Sequence, residues 1–273
     1  MHNDAAPCTG REAPRPLDAV RVRAALAGTR FADVRSVRET ASTNDDAGAL
    51  LGEPAAAGAT LVAEFQTAGR GRKAGRSWIA PAGSALLFTT ILPEAVATDA
   101  LWAVPFWVAL AVADGVEAGC GVRLELRWPN DLDLGGRKAA GILCASRVMG
   151  AQAHVACGVG LNVRRPAEAA TAAIEPPPAY LSDAAPHAER EAVLAGILGA
   201  MDGLLDVLDR PAEIARAWEE RAGLRGRPYR VRLDADGSIV AGTALRLDPE
   251  GGLVIASEGR ETTVHLADAR VVG

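Results

Sequence analysis

Lysine is almost missing from this 273-residue chain. Of 29 basic residues only Lys73 and Lys138 are lysine, and the other 27 are arginine. Lysine is a compact point charge on a flexible stem, whereas arginine is a planar fork. A chain so biased keeps lysine where arginine will not serve, an argument that weighs more for Lys138 than for Lys73. Cysteine is also scarce: Cys8, Cys120, Cys144 and Cys157, none spaced as C-x-x-C, beside four scattered histidines. That excludes a readable zinc site or disulfide framework and makes a reduced cytoplasm the default compartment. Long apolar runs are lacking. The longest, Leu101 to Ala113, contains Pro105, ends at Asp114, and is too short for a membrane span. The N-terminus, MHNDAAPCTGREAPRP, has no apolar core of a secretory signal. Excess positive charge is lacking too. The 34 acidic residues outnumber the basic ones, giving a net charge of −5 and a pI near 5.5. A generally basic nucleic-acid binder is thereby disfavoured, while a local basic patch stays open.

What is present suffices for a core. Hydrophobic residues make up 49% of the chain, and the length fits one large domain or two smaller ones. Residues 1–16, rich in proline, alanine and charge, read as a disordered tail. Leu17 to Gly28 suits a short helix, Val34 to Glu39 a strand, and Ser42-Thr43-Asn44 offers caps for a helix through Leu51. Strands are expected at Thr60–Gln66, Ala85–Leu92, Arg123–Trp128, Ala139–Met149 and His154–Val163. Asp99–Ala118 reads as a buried helix with Pro105 near its first turn. Arg164–Pro186 reads as a loop. Glu189–Leu208 and Pro211–Ala222 read as helices. From Gly226 the pattern changes to short strands, at Arg227–Leu233, Ser238–Leu247, Leu253–Ser257 and Thr262–Leu266, with turns at Asp236-Gly237 and Pro249 to Gly252. The fold class is α+β, its strands arranged in hairpins more than in βαβ units. The expected division is 17–224 for a main domain and 225–273 for a small C-terminal β-barrel.

Four segments carry chemistry. In Gln66 to Trp78, glycines interleave with Arg70, Arg72, Lys73 and Arg76. Glycines admit close backbone approach and cations neutralise phosphate, so the segment reads as an anion-binding loop or as a solvated basic loop. It is neither a P-loop nor a dinucleotide fingerprint. Arg127-Trp128-Pro129-Asn130-Asp131 ends a strand seven residues before Lys138. Asn130 and Asp131 there either face a pocket, Asp131 able to hold Mg²⁺, or make an Asx turn. In Gly158-Val159-Gly160-Leu161-Asn162 the strand glycines mark a close approach or a bulge. Ser42-Thr43-Asn44 is a helix cap or a ligand contact.

In this order the segments resemble the biotin protein ligases. The motifs are S-T-N at Ser42–Asn44, A-E-x-Q-x-A-G-R-G-R at Ala63–Arg72, R-W-P-N-D at Arg127–Asp131, K-x-A-G-I-L at Lys138–Leu143 and G-x-G-x-N-V at Gly158–Val163. The resemblance spans about residues 34–273. It implies a mixed β-sheet catalytic domain with helices packed on it and a C-terminal barrel. It also implies an adenylate-forming enzyme that joins biotin and MgATP into biotinyl-5′-AMP and passes biotin to one lysine of a biotin carboxyl carrier domain. Lys138, Arg70 and Arg72 take the catalytic positions. Ser42, Thr43, Asn44, Gln66, Gly69, Arg70, Gly71, Arg72, Lys138, Gly141, Gly158 and Gly160 take those of the biotin site. Arg72, Trp78, Arg127, Trp128, Asn130, Asp131, Lys138 and Asn162 take those of the ATP and adenylate site. For Trp78 and Trp128, walling that site and plain core packing both stand. Magnesium arrives with ATP, with Asp131 as its protein ligand, and no tightly bound metal is expected. The loop GRGRKAGRSW is one residue longer than the family's common form, and Arg127 stands where many members carry lysine. About 40 residues precede Ser42, too few for a winged helix, so the expectation is a cytoplasmic ligase without DNA or membrane partner, monomer or homodimer. A lipoate or octanoate ligase of related fold is the nearest rival, and a non-enzymatic binding module a more distant one.

Overall fold

A computed structural model of the chain describes residues 15–73, 75–167, 176–257, 259–265 and 269–271. Residues 1–14 of the expected 1–16 tail, part of the 164–186 loop, position 74 in the Gly/Arg loop and position 266 lie outside the described residues.

The main sheet has the order β1-β2-β3-β8-β7-β6-β5, with β4 also on β8. Its strands are β1 (Val34–Thr40), β2 (Thr60–Gln66), β3 (Ala85–Ile91), β4 (Val96–Ala97), β5 (Glu125–Arg127), β6 (Asp131–Leu134), β7 (Arg137–Met149) and β8 (Gln152–Asn162). Five α-helices are found among the described residues: α1 (Ala19–Ala25), α2 (Thr43–Ala49), α3 (Val104–Cys120), α4 (Arg190–Gly203) and α5 (Pro211–Ala222). Antiparallel pairing holds from β2 onward, in hairpins except where β3 and β4 pair with β8. The first pair differs, because β1 and β2 run parallel and are joined through α2. Two parallel neighbours need a crossover, and the short α2 supplies it.

The expected helix from Asp99 begins as a 3₁₀ segment, Thr98–Ala103, and becomes α-helical only at Val104. Pro105 lacks an N–H and belongs in a first helical turn, which sets that start. Thr98–Cys120, 23 residues, is long and apolar enough to cross a membrane, more so than the Leu101–Ala113 run suggests, yet 72% of its apolar window is buried. It is the core helix. Val108, Ala111, Val112 and Val116 have no exposure, and the indole N–H of Trp107 donates to the Leu204 carbonyl at 2.7 Å. Helix α4 lies against α3 with backbones nearly touching. A Cβ on Gly119 would stand 2.8 Å from Val193 Cα, and one on Gly115 would overlap the Ile197 backbone.

The C-terminal strands are β9 (Pro228–Leu233), β10 (Ile239–Leu247), β11 (Leu253–Ser257), β12 (Arg260–Val264) and β13 (Ala269–Val271). Their order is β12-β11-β10-β9-β13. The expected barrel is therefore corrected to an open five-stranded sheet, since the edge strands β12 and β13 do not pair among the described residues. A barrel buries its inner face by closing on itself. Here Tyr229, Val231, Ala244, Leu247, Leu253 and Ile255 are buried in the same core cluster as α3 and the main sheet. A Cβ on Gly251 would lie 2.7 Å from the Trp102 ring and 2.8 Å from that of Phe106. Docking on the main body does the work that closure would do.

The α3–α4 contact yields a stability prediction. Gly115→Val has no room at the crossing, so overpacking is expected to cost about 1–3 kcal/mol. Urea unfolding followed by circular dichroism measures it. An unchanged midpoint would show that the two helices are free to separate.

Candidate active site

The site is built on strands β7 and β8. Their register pairs Gly141 with Gly160 and Leu143 with Gly158. Side chains alternate across a sheet, so Ile142, Cys157, Val159 and Leu161 enter the core under α3, while the glycines face the other way. That face is bare backbone, and neighbouring side chains use the room. A Cβ on Gly158 would collide with Asn44 Oδ1. One on Gly160 would lie 2.5 Å from Trp78 Cε2, and one on Gly141 would lie 3.1 Å from Trp78 Cζ3 and 3.2 Å from Lys138 Nζ.

Lys138 reaches this face through a register shift. Opposite β6, Leu132 pairs with Ala140 but Asp133 pairs with Lys138, so Ala139 is an extra residue in β7. Without it, Lys138 and Gly141, three apart, would point to opposite faces. A bulge reverses the alternation. Asp131 opens β6 opposite Gly141, and Lys138 Nζ donates to its Oδ1 at 2.6 Å. The same ammonium stands 5.6 Å from the Trp78 ring centroid.

The S-T-N segment sits at the mouth of α2. Ser42 holds the cap position with extended backbone, but its side chain makes no capping hydrogen bond. Thr43 and Asn44 are tied into the sheet instead. Gln66 Oε1 accepts from the Thr43 N–H at 2.8 Å and its hydroxyl at 3.0 Å. Asn44 Nδ2 donates to the Leu143 carbonyl at 2.9 Å. Thr89 lies 2.6 Å from Asn44 Oδ1 and 2.8 Å from Thr43 Oγ1. Its hydroxyl has one proton to share between them. With Gln66 accepting, its amide NH₂ remains the donor end.

The Gly/Arg segment is a small hairpin. Arg70 bridges to Ser77, Gly71 N donates to Arg76 O at 2.8 Å, and Trp78 N to Gly69 O at 3.0 Å. Arg70 pairs with Asp45, and Lys73 pairs with Asp234 at the β9–β10 turn. Burial pushes the Arg72 guanidinium below its ordinary value, while the carboxylates of Asp131 and Asp234 pull it back up. The Trp78 indole N–H is buried with no partner among the described residues.

These groups line one cavity of about 500 Å³, part of it open to solvent. Of the residues singled out from sequence, the lining brings together Ser42, Thr43, Asn44, Gln66, Arg70, Gly71, Arg72, Trp78, Asn130, Lys138, Gly141, Gly158 and Gly160. Five stand behind it. Gly69 closes the hairpin base, where a Cβ would meet Trp78 O at 2.5 Å. Asp131 holds Lys138. Asn162 donates to the Ala179 carbonyl at 3.1 Å, and Ala179 N donates in turn to Lys138 O. Arg127 is ion-paired with Asp133 at 3.2 Å, whose carboxyl burial raises and Arg127 draws back. Trp128, proposed as a wall, is fully buried. It bonds the C-terminal sheet, its indole to Gly251 O at 3.2 Å and its N–H to the Tyr229 hydroxyl oxygen at 3.3 Å. Of its two readings, packing is the one this geometry supports. Sequence reasoning missed the lining residues Phe88, Ile142, Leu143 and Val159, and the Thr89 junction. The signal for Thr89 was a hydroxyl pair, Thr89-Thr90, inside a strand that is otherwise apolar and wholly buried.

The model of the biotin/lipoate A/B protein ligase family matches residues 37–162, which hold the first four motifs whole and the fifth up to Asn162. The chain is 34% identical to the biotin–acetyl-CoA-carboxylase ligase of Paracoccus denitrificans over 240 residues, 84% of this chain and 96% of that protein. It is 32% identical to the Mycobacterium tuberculosis enzyme of the same name over 270 residues, 93% and 95% of the two chains. This chain belongs to the biotin–acetyl-CoA-carboxylase ligase family. The fold agrees. A biotin protein ligase from Aquifex aeolicus, solved with biotin and ATP, superposes with a TM-score of 0.69 at 22% identity, covering 88% of this chain and 98% of that one. In this ligase, then, the cavity is bounded by a glycine floor, a hydroxyl and amide network at one end, and cations at the other.

Removing the Thr89 hydroxyl tests that network. Thr89→Val keeps the shape but leaves buried acceptors without their donor, which is expected to cost about 1–3 kcal/mol in urea unfolding. A midpoint equal to that of the parent chain would mean the hydroxyl is not a junction.

Proposed function

We propose that this chain is an ATP-dependent ligase that forms biotinyl-5′-AMP and transfers biotin to a lysine of a biotin carboxyl carrier domain. One observation carries the reading: a family member holds donors and acceptors suited to a ureido group, and the cations Arg72 and Lys138, around one cavity. Biotin's ureido ring needs donors and acceptors together, which Ser42, Thr43, Asn44 and Gln66 provide. Gly141, Gly158 and Gly160 leave room above the sheet for Asn44, Trp78 and Lys138, which sets those side chains close in around the ring. Adenylation forms a bond from the carboxylate oxygen to the α-phosphorus and breaks the bond to pyrophosphate. Little covalent work falls to the protein, so catalysis is positioning and charge stabilisation. Lys138 and Arg72 neutralise the carboxylate and α-phosphate as they approach. Asp131 holds Lys138 in place beforehand. The hairpin with Arg70 and Trp78 shields the mixed anhydride from water. In the second step the carrier lysine's amine attacks the biotinyl carbonyl and AMP leaves. Among the described residues no cluster of three metal-ligating side chains exists. Magnesium would be carried in by the phosphates, with the Asp131 carboxylate, here paired with Lys138, as its protein ligand, and would spread charge off the departing pyrophosphate. Residues 17–224 form the catalytic unit and 225–273 the appended one in this reading. The enzyme acts in the cytoplasm, consistent with free thiols at Cys120, Cys144 and Cys157.

Exchange of labelled pyrophosphate into ATP tests this without the acceptor, with biotin, lipoate and octanoate compared. Exchange with biotin alone is expected. Exchange with lipoate or octanoate instead would move the chain to the lipoate branch of the family. Lys138→Ala is expected to cut biotin-dependent exchange about a hundredfold or more while the circular dichroism spectrum stays the same. Near-parental exchange would remove Lys138 from the mechanism. Arg72→Ala is expected to release the adenylate about tenfold faster in rapid filtration, the scale of one lost charged hydrogen bond. Unchanged release would reassign the loop.

A further inference from the structure

Among the described residues no lining residue of the cavity lies beyond Gly160, so the described part of the C-terminal sheet adds nothing to its wall. Yet charges from that sheet continue the charges of the site. Lys73 pairs with Asp234. Asp234 and Asp131 both act on the Arg72 guanidinium. Asp131 pairs with Lys138 at 2.6 Å. Two ion pairs, Lys73–Asp234 and Lys138–Asp131, thus bring their carboxylates within electrostatic reach of Arg72. Each lysine is held against a defined carboxylate before a phosphate arrives.

Asp234 is set on a built turn. Leu233 N donates to Ser238 O at 2.9 Å, Gly237 N to Leu233 O at 3.0 Å, and Ser238 N to Asp236 Oδ1 at 2.9 Å. Gly237 takes the left-handed conformation the turn requires, φ +71°. The turn belongs to β9, whose Tyr229 bonds the Trp128 backbone, so the carboxylate is referenced to the floor of the fold. Lys73 stands at the far end of the Gly/Arg hairpin, away from its base at Gly69 and Trp78. It falls where the chain is one residue longer than the family's common loop. The extra length therefore coincides with the contact between the hairpin and the sheet.

We propose that Asp234 is a positioning residue for adenylation, holding the Gly/Arg hairpin closed over the cavity through Lys73. The C-terminal sheet thereby sets how long the adenylate is kept from water although it touches no substrate. The proposal rests on the ligase reading above for its effect on retention, while the latch itself is a property of the unliganded chain.

Two readouts test it. In the first, adenylate release is timed after removal of free biotin and ATP. Asp234→Asn and Lys73→Met are each expected to speed release about two- to fivefold, the scale of an exposed ion pair. The double variant is expected to be no faster than either alone, and Asp234→Glu and Lys73→Arg to stay near the parent rate. High salt should speed release from the parent chain and leave the Asp234→Asn chain unmoved. Additive effects, or equal release rates in parent and Asp234→Asn chains, would overturn the latch. The second readout needs no activity. Trypsin sites at Arg70, Arg72, Lys73 and Arg76 all lie in the hairpin, so its opening is read as cleavage there in the free protein. Asp234→Asn is expected to be cut about two- to fivefold faster, and equal cutting would overturn the proposal. If the parent chain shows no biotin-dependent exchange, the ligase reading fails and the trypsin result still decides the latch.

Discussion

The pairing of β7 with β8 is the constraint on which the rest depends. Because side chains alternate, one register decides two surfaces at once. Ile142, Cys157, Val159 and Leu161 meet the core under α3, and Gly141, Gly158 and Gly160 turn to the cavity. A slip of one residue would put glycines into the core and branched chains into the site. The register is held by the apolar half, whose burial is large. The functional half is therefore positioned by residues that never touch a ligand. The bulge at Ala139 breaks that alternation where β7 meets β6, and it is the place that delivers Lys138 to the cavity.

The polar groups around that floor are kept in place by partners rather than by solvent. Gln66, Thr43, Thr89 and Asn44 form a closed set that reaches the Leu143 carbonyl on β7. Groups ordered before binding lose less freedom on binding. The cations follow the same rule with a different cost. Lys138 is paired with Asp131, and Arg72 lies in the field of Asp131 and Asp234, carboxylates that an incoming phosphate must displace or accommodate. Holding them fixed orients the charge, and releasing it to the phosphate makes the interaction sensitive to the reacting state.

Much of this was legible in the sequence, and the exceptions share a cause. Thr60–Gln66, Leu253–Ser257 and Pro211–Ala222 have the same bounds in the structure as in the sequence reading. Each is a clear periodic run bounded by turn or helix-start residues. What escaped depends on contacts between distant segments. Strand β6, four residues long, begins inside a turn-like P-N-D motif. The parallel pairing of β1 with β2 is set by the crossover and not by either strand's pattern. Trp128 sits in a motif beside polar residues, yet faces the C-terminal sheet, and no local spacing tells the two sides apart. The Ala139 bulge leaves no mark among small residues. Lys73 and Asp234 are 161 positions apart, so nothing in either neighbourhood announces the other.

The open C-terminal sheet follows from the same logic. A closed barrel would satisfy its own apolar face and need only a linker to the rest. This sheet is open between β12 and β13 among the described residues, and its apolar face is buried in the core it shares with α3. Trp128 makes that dependence specific, since its fully buried side chain bonds the Gly251 carbonyl and its backbone meets Tyr229. Pro129, Asn130 and Asp131 follow it directly in sequence, and Asp131 holds Lys138. A sheet whose apolar face is buried on the main body, and that docks on the segment leading to Asp131, is coupled by packing to the partner of Lys138. That coupling does not require a residue in the cavity wall.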